Sequence, residues 1–254
     1  MKINPRSQNV QNKFNTKYSG VQELLDTEQG LQFFSKDLVK KMKKGLKIEK
    51  GKDVLDFGAG TGFLAEIWRE KYEIDPICLE IDPDLVDVLV TKKFKVFQEM
   101  DQIQDVFEFI YTSNVLEHIQ DDVAVLIDIK NKMCVNGKLA IYVPALPILF
   151  SDFDASIGHF RRYSKKELVK KVTDAGLEVE NCYWNDSLGV LASLAVKFLG
   201  YEGKSKIGYG KLLFIYDKII FPASKILDLV IFKHLIGKNL FLIAKNSNLS
   251  RSSN

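Results

Sequence analysis

Cysteine is scarce in this chain of 254 residues. The three cysteines, Cys78, Cys134 and Cys182, are odd in number and stand far apart. They supply neither a disulfide framework nor the spacing of a metal site, and reduced thiols are the usual state of such residues inside the cell. The sequence therefore predicts a cytoplasmic protein without a metal centre.

Long apolar segments and an excess of one charge are also absent. No uncharged apolar run reaches the roughly 18 residues that span a bilayer, and the polar residues 1–20 lack the apolar centre of a signal peptide. The formal net charge is only +3, which indicates no polyanionic partner. The lysines between positions 40 and 44 are explained by a solvated helix face. Nucleic-acid binding is therefore not expected.

What the chain does contain is a regular alternation of short apolar segments with helical ones. The predicted strands lie at 54–57, 76–81, 95–97, 108–112, 138–143, 177–184 and 239–245. The predicted helices lie at 22–46, 62–71, 84–91, 121–134 and 165–175, with Asn136-Gly137 ending the fourth. This alternation is typical of an α/β fold with a mostly parallel, doubly wound sheet, whose ligand crevice lies at the carboxyl ends of the strands.

A glycine-rich turn follows the first predicted strand, in the segment Asp56-Phe57-Gly58-Ala59-Gly60-Thr61-Gly62. Glycines allow a ligand to approach the backbone, and the next helix offers amide donors at its start. Dinucleotide sites have the spacing G-x-G-x-x-G, whereas the third glycine here comes one residue early. Asp56 would repel a pyrophosphate but suits an ammonium group. The turn therefore favours a zwitterionic, sulfonium-bearing ligand over a nicotinamide dinucleotide.

A second carboxylate supports this interpretation. Glu80 ends the second predicted strand, 24 residues after Asp56. A carboxylate at this place can accept hydrogen bonds from both hydroxyls of a ribose. Ile81 is then placed to pack against an adenine ring.

Four segments resemble the motifs of class I methyltransferases that depend on S-adenosyl-L-methionine (SAM). They are residues 54–62 (motif I), 79–83 (the second motif), 109–119 (the "vLEHi" segment of enzymes that methylate quinones and other small molecules) and 135–139 (the "kpgG" turn). The likeness covers about 50–185 and 239–245, and it is to the methyltransferase groups 11, 12 and 23. It implies SAM as the cofactor and a Rossmann-like, seven-stranded sheet whose last strand is antiparallel.

The resemblance also implies which residues contact SAM. An acidic residue after the third strand usually meets the adenine amine, and Asp101 is the candidate here. The predicted cofactor-binding residues are Asp56, Phe57, Gly58, Ala59, Gly60, Gly62, Glu80, Ile81, Asp101 and Ser113.

Two groups of polar residues follow the fourth and fifth strands, where the methyl acceptor would lie. In the first, His118 either acts on the acceptor as a base or orienting group, or caps the following helix and packs in the crevice wall. The second, 152–163, resembles the "D…GHxRRY" segment of methyltransferases linked to surface-polysaccharide and lipid pathways. There, His159 is the candidate general base.

The arginines of this segment have two interpretations. Arg161 and Arg162 suit a carboxylate or phosphate on the acceptor, because a guanidinium binds either group in a bidentate way. Alternatively, they form an internal salt-bridge lock with Asp154 that holds the loop over the site, with Tyr163 leading the next helix. The predicted catalytic residues are His159 and His118, and the predicted substrate-binding residues are Glu117, Asp154, Arg161, Arg162 and Tyr163.

The predicted organisation has four parts. They are an N-terminal arm and helix (1–50), the SAM-binding domain in two pieces (51–186 and 237–246), a helical insertion (187–236) and a disordered tail (247–254). The insertion contains helices at 188–199 and about 210–235, the latter broken at Pro222. Its apolar surface has three open explanations: packing in the core or in a homodimer, a lid over a long apolar acceptor, and peripheral contact with a membrane.

Together these features predict a SAM-dependent methyltransferase that acts on a small molecule, such as a glycan- or lipid-linked intermediate. Two alternatives stand beside it. One is a relative that binds SAM without turnover, and the other is a nicotinamide-dependent oxidoreductase.

Overall fold

A computed structural model describes residues 24–25, 28, 30–199, 213–230 and 235–247. The predicted arm at 1–20, residues 248–254 of the predicted tail, and the middle of the predicted insertion lie outside the described residues.

Seven strands form one mixed sheet with the order β3-β2-β1-β4-β5-β7-β6. The strands are β1 (Val54–Phe57), β2 (Ile77–Leu79), β3 (Val96–Phe97), β4 (Phe107–Ser113), β5 (Met133–Pro144), β6 (Glu178–Asn185) and β7 (Asn239–Lys245). Strand β7 runs antiparallel to both of its neighbours, β5 and β6, and the other described pairs are parallel. The predicted Rossmann-like sheet with an antiparallel last strand is confirmed.

Helices cover both faces of this sheet. They are α1 (Gln32–Leu46), α2 (Phe63–Tyr72), α3 (Pro83–Thr91), α4 (Asp122–Asn131), α5 (Asp152–Ser156), α6 (Lys165–Asp174), α7 (Gly189–Leu199) and α8 (Phe221–Val230). Short 3-10 turns lie at Met100–Gln102, Leu116–His118 and Pro147–Leu149.

Two buried clusters, one on each face, hold the helices to the sheet. Successive residues of a strand point to opposite faces. In β5, Leu139, Ile141 and Val143 therefore pack with α4 and α6, while Ala140 and Tyr142 pack with α1 and α2. Each fully buried aliphatic side chain contributes about 1.5–3 kcal/mol relative to an exposed one. The sheet is thus held rigidly, and its carboxyl edge can position side chains accurately.

The pair Asn136-Gly137 does not end a helix, and this prediction was wrong. Strand β5 begins at Met133, directly after α4, and it contains both residues. Asn136 adopts a φ of 65°, its amide donates to Asn246, and the Asn246 amide donates to Gly137. Asn136 is therefore a local irregularity within β5, and the hydrogen bonds with Asn246, the residue that follows β7, hold it in place.

The predicted break at Pro222 is also not observed. A π-helical turn, Tyr216–Ile220, leads directly into α8, and the amide of Phe221 donates to the carbonyl of Tyr216 five residues earlier. Because Pro222 is the second residue of α8, the wider π turn before it accommodates its ring and its missing amide hydrogen.

The described part of the insertion contacts α1. The first turn of α1 has no side-chain cap of its own at Leu31. Instead, the buried carboxylate of Asp217 accepts from the amides of Phe33 and Phe34, at 3.0 and 2.8 Å, and so satisfies two donors that a helix start leaves open. Within the described residues, no helix has the length and apolar character needed to cross a bilayer.

Candidate functional site

The glycine-rich turn joins β1 to α2 at the carboxyl edge of the sheet. Gly58 and Gly60 have φ angles of 77° and 57°, a region that favours glycine. The amides of Gly58 and Ala59 donate to the carbonyl of Leu79 at 2.9 and 3.1 Å, and that of Gly60 donates to the carboxylate of Glu80 at 2.7 Å. These three amides pin the turn to β2, so they are engaged within the protein rather than free for a ligand.

The glycines serve different purposes. A β-carbon at Gly58 would lie 2.4 Å from a methyl group of Val115, and one at Gly62 would lie 2.6 Å from a methyl group of Leu89. At Gly60 the nearest heavy atom would be a methyl group of Leu24, at 3.5 Å, which is ordinary contact. Gly58 and Gly62 therefore permit close packing of the protein itself, whereas a β-carbon at Gly60 would make only an ordinary contact.

Asp56 is a buried carboxylate beneath the turn, 3% exposed. Its Oδ2 accepts a hydrogen bond from the hydroxyl of Tyr111 at 2.7 Å. Burial raises the pKa of Asp56 to about 7; the hydrogen bond from Tyr111 opposes this rise, and the charge of Glu80 adds to it. None of the described lysines or arginines forms an ion pair with Asp56. A cationic group of a ligand would supply the missing counter-charge.

Glu80 lies directly after β2 and is held by backbone donors. Its Oε1 accepts from the amides of Ile81 and Asp82, at 2.8 and 3.0 Å, and its Oε2 accepts from Gly60. Burial raises the pKa of Glu80, and these hydrogen bonds oppose the rise. A carboxylate offers about four lone-pair positions, so about one remains. A contact with both ribose hydroxyls would require Glu80 to share an oxygen with a backbone donor.

The remaining predicted cofactor residues are more widely spread. The side chain of Phe57 belongs to the core, so only its backbone could meet a ligand. Ile81 is half-buried next to Glu80, and Ser113 ends β4. Asp101 is exposed in the 3-10 turn that follows β3. The roles predicted for these residues stay predictions.

Taken together, the donor side fits SAM. A buried carboxylate without a cation suits the ammonium group, and a second carboxylate at the neighbouring strand end suits a ribose. SAM would supply an electrophilic methyl group on its sulfonium.

On the acceptor side, Glu117 lies in the 3-10 turn after β4 and is 0% exposed. Neither of its carboxylate oxygens has a hydrogen-bond partner among the described residues. Burial raises the pKa of Glu117 to about 7, and the nearby His159 opposes that rise. The distance from Glu117 Oε1 to His159 Nε2 is 3.9 Å. The fold thus brings together two candidate residues that lie on separate loops.

His159 is oriented by Asp154, which belongs to the short helix α5 inside the segment predicted as a loop. The distance from His159 Nδ1 to Asp154 Oδ1 is 3.0 Å, and the same oxygen accepts from Arg162 Nε at 2.8 Å. Asp154 Oδ2 accepts from the amide and hydroxyl of Ser151, the capping box of α5. These bonds hold the pKa of Asp154 well below its usual range despite burial.

Arg162 and His118 complete this acceptor-side group. The guanidinium of Arg162 is nine-tenths buried, and its Nη1 has no partner among the described residues. The rings of His118 and His159 meet edge to face, 4.5 Å apart between centroids. Burial and the neighbouring His159 lower the pKa of His118 to about 3, while a hydrogen bond to the backbone of Gly158 opposes this.

Arg161 and Tyr163, in contrast, point to a buried carboxylate outside this group. Arg161 donates to Asp122 Oδ2 at 2.9 Å and to the carbonyl of Gln120 at 2.9 Å. Tyr163, fully buried, donates to the same oxygen of Asp122 at 2.7 Å, and Lys171 pairs with that carboxylate too. The geometry favours the internal lock for these two residues, built around Asp122 rather than Asp154.

Several residues in and around these networks were not predicted from the sequence, among them Tyr111, Asp122 and Lys238, whose charge interacts with those of Arg162 and Asp154. The first and fourth strands are neighbours in a doubly wound sheet, which is a signal that could have pointed to Tyr111; the structure places it in register with Asp56. The pKa of Lys238 is lowered by burial, which the charge of Asp186 opposes. No sequence signal marks Lys238 or Asp122.

Comparison with known proteins gives the family. Residues 29–181 match the methyltransferase domain family. The chain belongs to this family. The methyltransferase also resembles solved structures of the same class over most of its length, and no protein of curated function gives a significant sequence match.

Three of these solved structures illustrate how similar their chains are to this one. The complex of the Haloferax volcanii Trm112 methyltransferase activator with a methyltransferase aligns at a TM-score of 0.58 and 16% identity, over 87% of this chain and 91% of that one. A SAM-dependent methyltransferase from Archaeoglobus fulgidus aligns at 0.53 and 17%, over 83% and 94%. Haemonchus contortus phosphoethanolamine N-methyltransferase 2, solved with SAM, aligns at 0.54 and 13%, over 82% and 52%.

The family and fold confirm two predictions about this methyltransferase. It has the class I SAM-dependent architecture, and its cofactor is SAM. The alternative of a nicotinamide-dependent oxidoreductase is not supported. Identities of 13–17% establish the fold, so the acceptor has to be inferred from the site.

Proposed function

We propose that this protein catalyses methyl transfer from SAM to a small molecule that carries a carboxylate or phosphate next to the accepting group. The observation that carries the proposal is the orphaned Nη1 of the buried Arg162, beside His159 and Glu117. A buried guanidinium nitrogen without a partner is costly, and the charged oxygen of a bound acceptor would satisfy it. A guanidinium binds such groups strongly because its hydrogen bonds are charge-assisted.

The predicted substrate-binding residues fall into two groups according to their contacts. Arg162 and Glu117 would meet the acceptor, while Asp154 would orient Arg162 and His159. Arg161 and Tyr163 would instead fix the loop through Asp122. Methyl transfer itself requires mainly that acceptor, methyl group and sulfur are held in line and away from water.

The apolar surface next to this loop supports a lipid-linked acceptor. Helix α7 lies against the turn that follows β5, where Lys197 Nζ donates to the carbonyl of Ile148. Ile148, Leu191 and Phe198 are 76%, 64% and 78% exposed. A large contiguous apolar patch marks a binding surface, and Leu191 and Phe198 lie seven residues apart, on one face of α7. We propose that this surface contacts the apolar part of the acceptor or the membrane that holds it.

The test of the main proposal is turnover with paired acceptors. Full-length protein is incubated with labelled SAM and with matched pools of sugar phosphates, carboxylates and their neutral counterparts, and methylated products are identified by mass spectrometry. Labelled methyl should enter anionic acceptors preferentially. Arg162→Lys should reduce that turnover at least tenfold, because the fork geometry is lost, while S-adenosylhomocysteine (SAH) binding is retained.

Two results would contradict the proposal. One is SAH binding without turnover on any acceptor, which would favour a non-catalytic relative. The other is equal turnover of charged and neutral acceptors by wild type and Arg162→Lys. Co-sedimentation with anionic and neutral lipid vesicles tests the apolar surface, and Phe198→Ser should weaken any binding observed.

A further inference from the structure

Three side chains with metal-ligating atoms converge on the acceptor side. Glu117 and His118 come from the turn after β4, and His159 comes from the segment after α5. One ligand atom of each lies within 4.8 Å of the others. The two loops follow adjacent strands of the sheet, so the convergence is a property of the fold and not of one flexible segment.

Glu117 supplies the second observation. Its carboxylate is completely buried, and neither oxygen has a hydrogen-bond partner among the described residues, although its own backbone and the charges of His159 and Arg162 act to lower its pKa. Burying an ionised carboxylate without a partner costs several kcal/mol, and buried polar groups in native proteins are nearly always satisfied. A carboxylate left in this condition beside two imidazole rings would be satisfied by a bound cation.

The histidines are held as metal-ligating histidines usually are. Asp154 accepts from His159 Nδ1, so His159 Nε2 is directed toward Glu117. His118 donates to the backbone carbonyl of Gly158. A ligating histidine typically gives its second ring nitrogen to a carboxylate or a backbone carbonyl, which fixes both the tautomer and the ring orientation.

We propose that Glu117, His118 and His159 bind one divalent cation of the zinc class. Two imidazoles and one carboxylate suit Zn²⁺, whereas Mg²⁺ and Ca²⁺ prefer oxygen ligands alone. Three protein ligands leave a fourth position for a ligand oxygen. The charge of the buried Arg162 acts on Glu117, so an anionic acceptor at this position could also meet that guanidinium.

The sequence-based prediction of no metal site missed these ligands, because two of them are adjacent, at 117 and 118, and the third lies 41 residues after His118. The role of the cation in methyl transfer rests on the proposed function. Binding of the cation does not, so it can be measured separately.

The test is a titration of chelator-treated full-length protein with ZnCl2 and with MgCl2, followed by calorimetry and by metal analysis after dialysis. We expect one Zn²⁺ per chain and no Mg²⁺ binding. Glu117→Gln, His118→Ala and His159→Ala should each weaken Zn²⁺ binding at least tenfold. Asp154→Asn should weaken it by about 10–100-fold through the orientation of His159.

Matched controls separate the site from general effects. Glu108→Gln removes an exposed carboxylate that pairs with Lys52, and His234→Ala removes the third histidine of the chain; both should bind Zn²⁺ as wild type does. SAH affinity reports whether each variant is folded. Absence of Zn²⁺ binding by wild type, or unchanged binding by folded Glu117→Gln, would overturn the inference.

Turnover then separates the two proposals. If Zn²⁺ binds as described but no acceptor is methylated, the metal site stands and the proposed function fails. If methylation proceeds equally after chelation and Zn²⁺ does not bind at these residues, the metal site fails and the proposed function stands.

Discussion

The buried carboxylate of Asp56 predicts that SAH binding depends on pH. Burial raises its pKa to about 7, so about a tenth of the molecules carry the charge at pH 6 and about nine tenths at pH 8. We propose that the ligand's ammonium pairs with the ionised form. Protonated Asp56 cannot form this ion pair, and the observed affinity should follow the ionised fraction.

The expected magnitude follows directly. Affinity for SAH should be about tenfold weaker at pH 6 than at pH 8, which corresponds to about 1.4 kcal/mol. Binding near pH 7 should release about half a proton per ligand, and more at pH 6. The neighbouring groups Tyr111 and Cys78 have their pKa values raised by burial, so they stay protonated throughout and do not contribute.

Isothermal titration at pH 6, 7 and 8, in two buffers with different ionisation enthalpies, measures both the affinity and the proton release. Asp56→Asn should bind SAH weakly at each pH and release no proton. The pKa of Glu80 is also raised by burial, and Glu80→Gln determines its share. Equal affinity of wild type at pH 6 and 8 without proton release, or tight binding by Asp56→Asn, would refute the reasoning.

Three further predictions concern stability. Because the folded pKa of Asp56 lies above the ordinary value of 3.8, the contribution of Asp56 to the stability of the ligand-free protein falls as pH rises from about 4 through 7. Asp56→Asn should therefore raise the free energy of unfolding at pH 8 but not at pH 4, by about 1.4 kcal/mol per unit of pKa. Gly58→Ala should lower the free energy of unfolding by about 1–3 kcal/mol more than Gly51→Ala does, as measured by urea unfolding. Both glycines have a φ near 80°, but only at Gly58 would the added methyl group collide with a neighbour, Val115. Arg161→Ala should lower the free energy of unfolding by about 1–3 kcal/mol and leave SAH affinity unchanged; a selective loss of SAH binding would show that this arginine is not a structural lock.

Much of the fold could be predicted because its signals are local. The segments 54–57 and 239–245 were predicted with the bounds observed, since buried strands in this class are short apolar runs flanked by turn residues. The error at Asn136-Gly137 has a physical cause. The pair signals a local change of backbone direction, but whether a helix ends there or a strand bends depends on the pairing with Asn246, more than a hundred residues away.

For the acceptor side, the sequence predicted which kinds of residue are present but not how they are arranged. The segment 152–163 was identified as rich in charged residues, but its two interpretations could not be separated from the sequence. In the structure both arginines form internal ion pairs: Arg161 pairs with Asp122, 39 residues away, and Arg162 pairs with Asp154. Two adjacent arginines point to different carboxylates, because neighbouring side chains of an extended segment point in opposite directions.

The sequence by itself determined the methyl donor. A glycine turn and two carboxylates at the ends of the first two strands are properties of short segments, and the parallel sheet brings such ends together whatever the rest of the chain does. Only the tertiary structure showed that Glu117, His159 and Arg162 lie together, because they meet through two loops whose approach no local pattern encodes. It also showed that a β-carbon at Gly58 would collide with Val115, a contact that depends on the packing of β1 against β4.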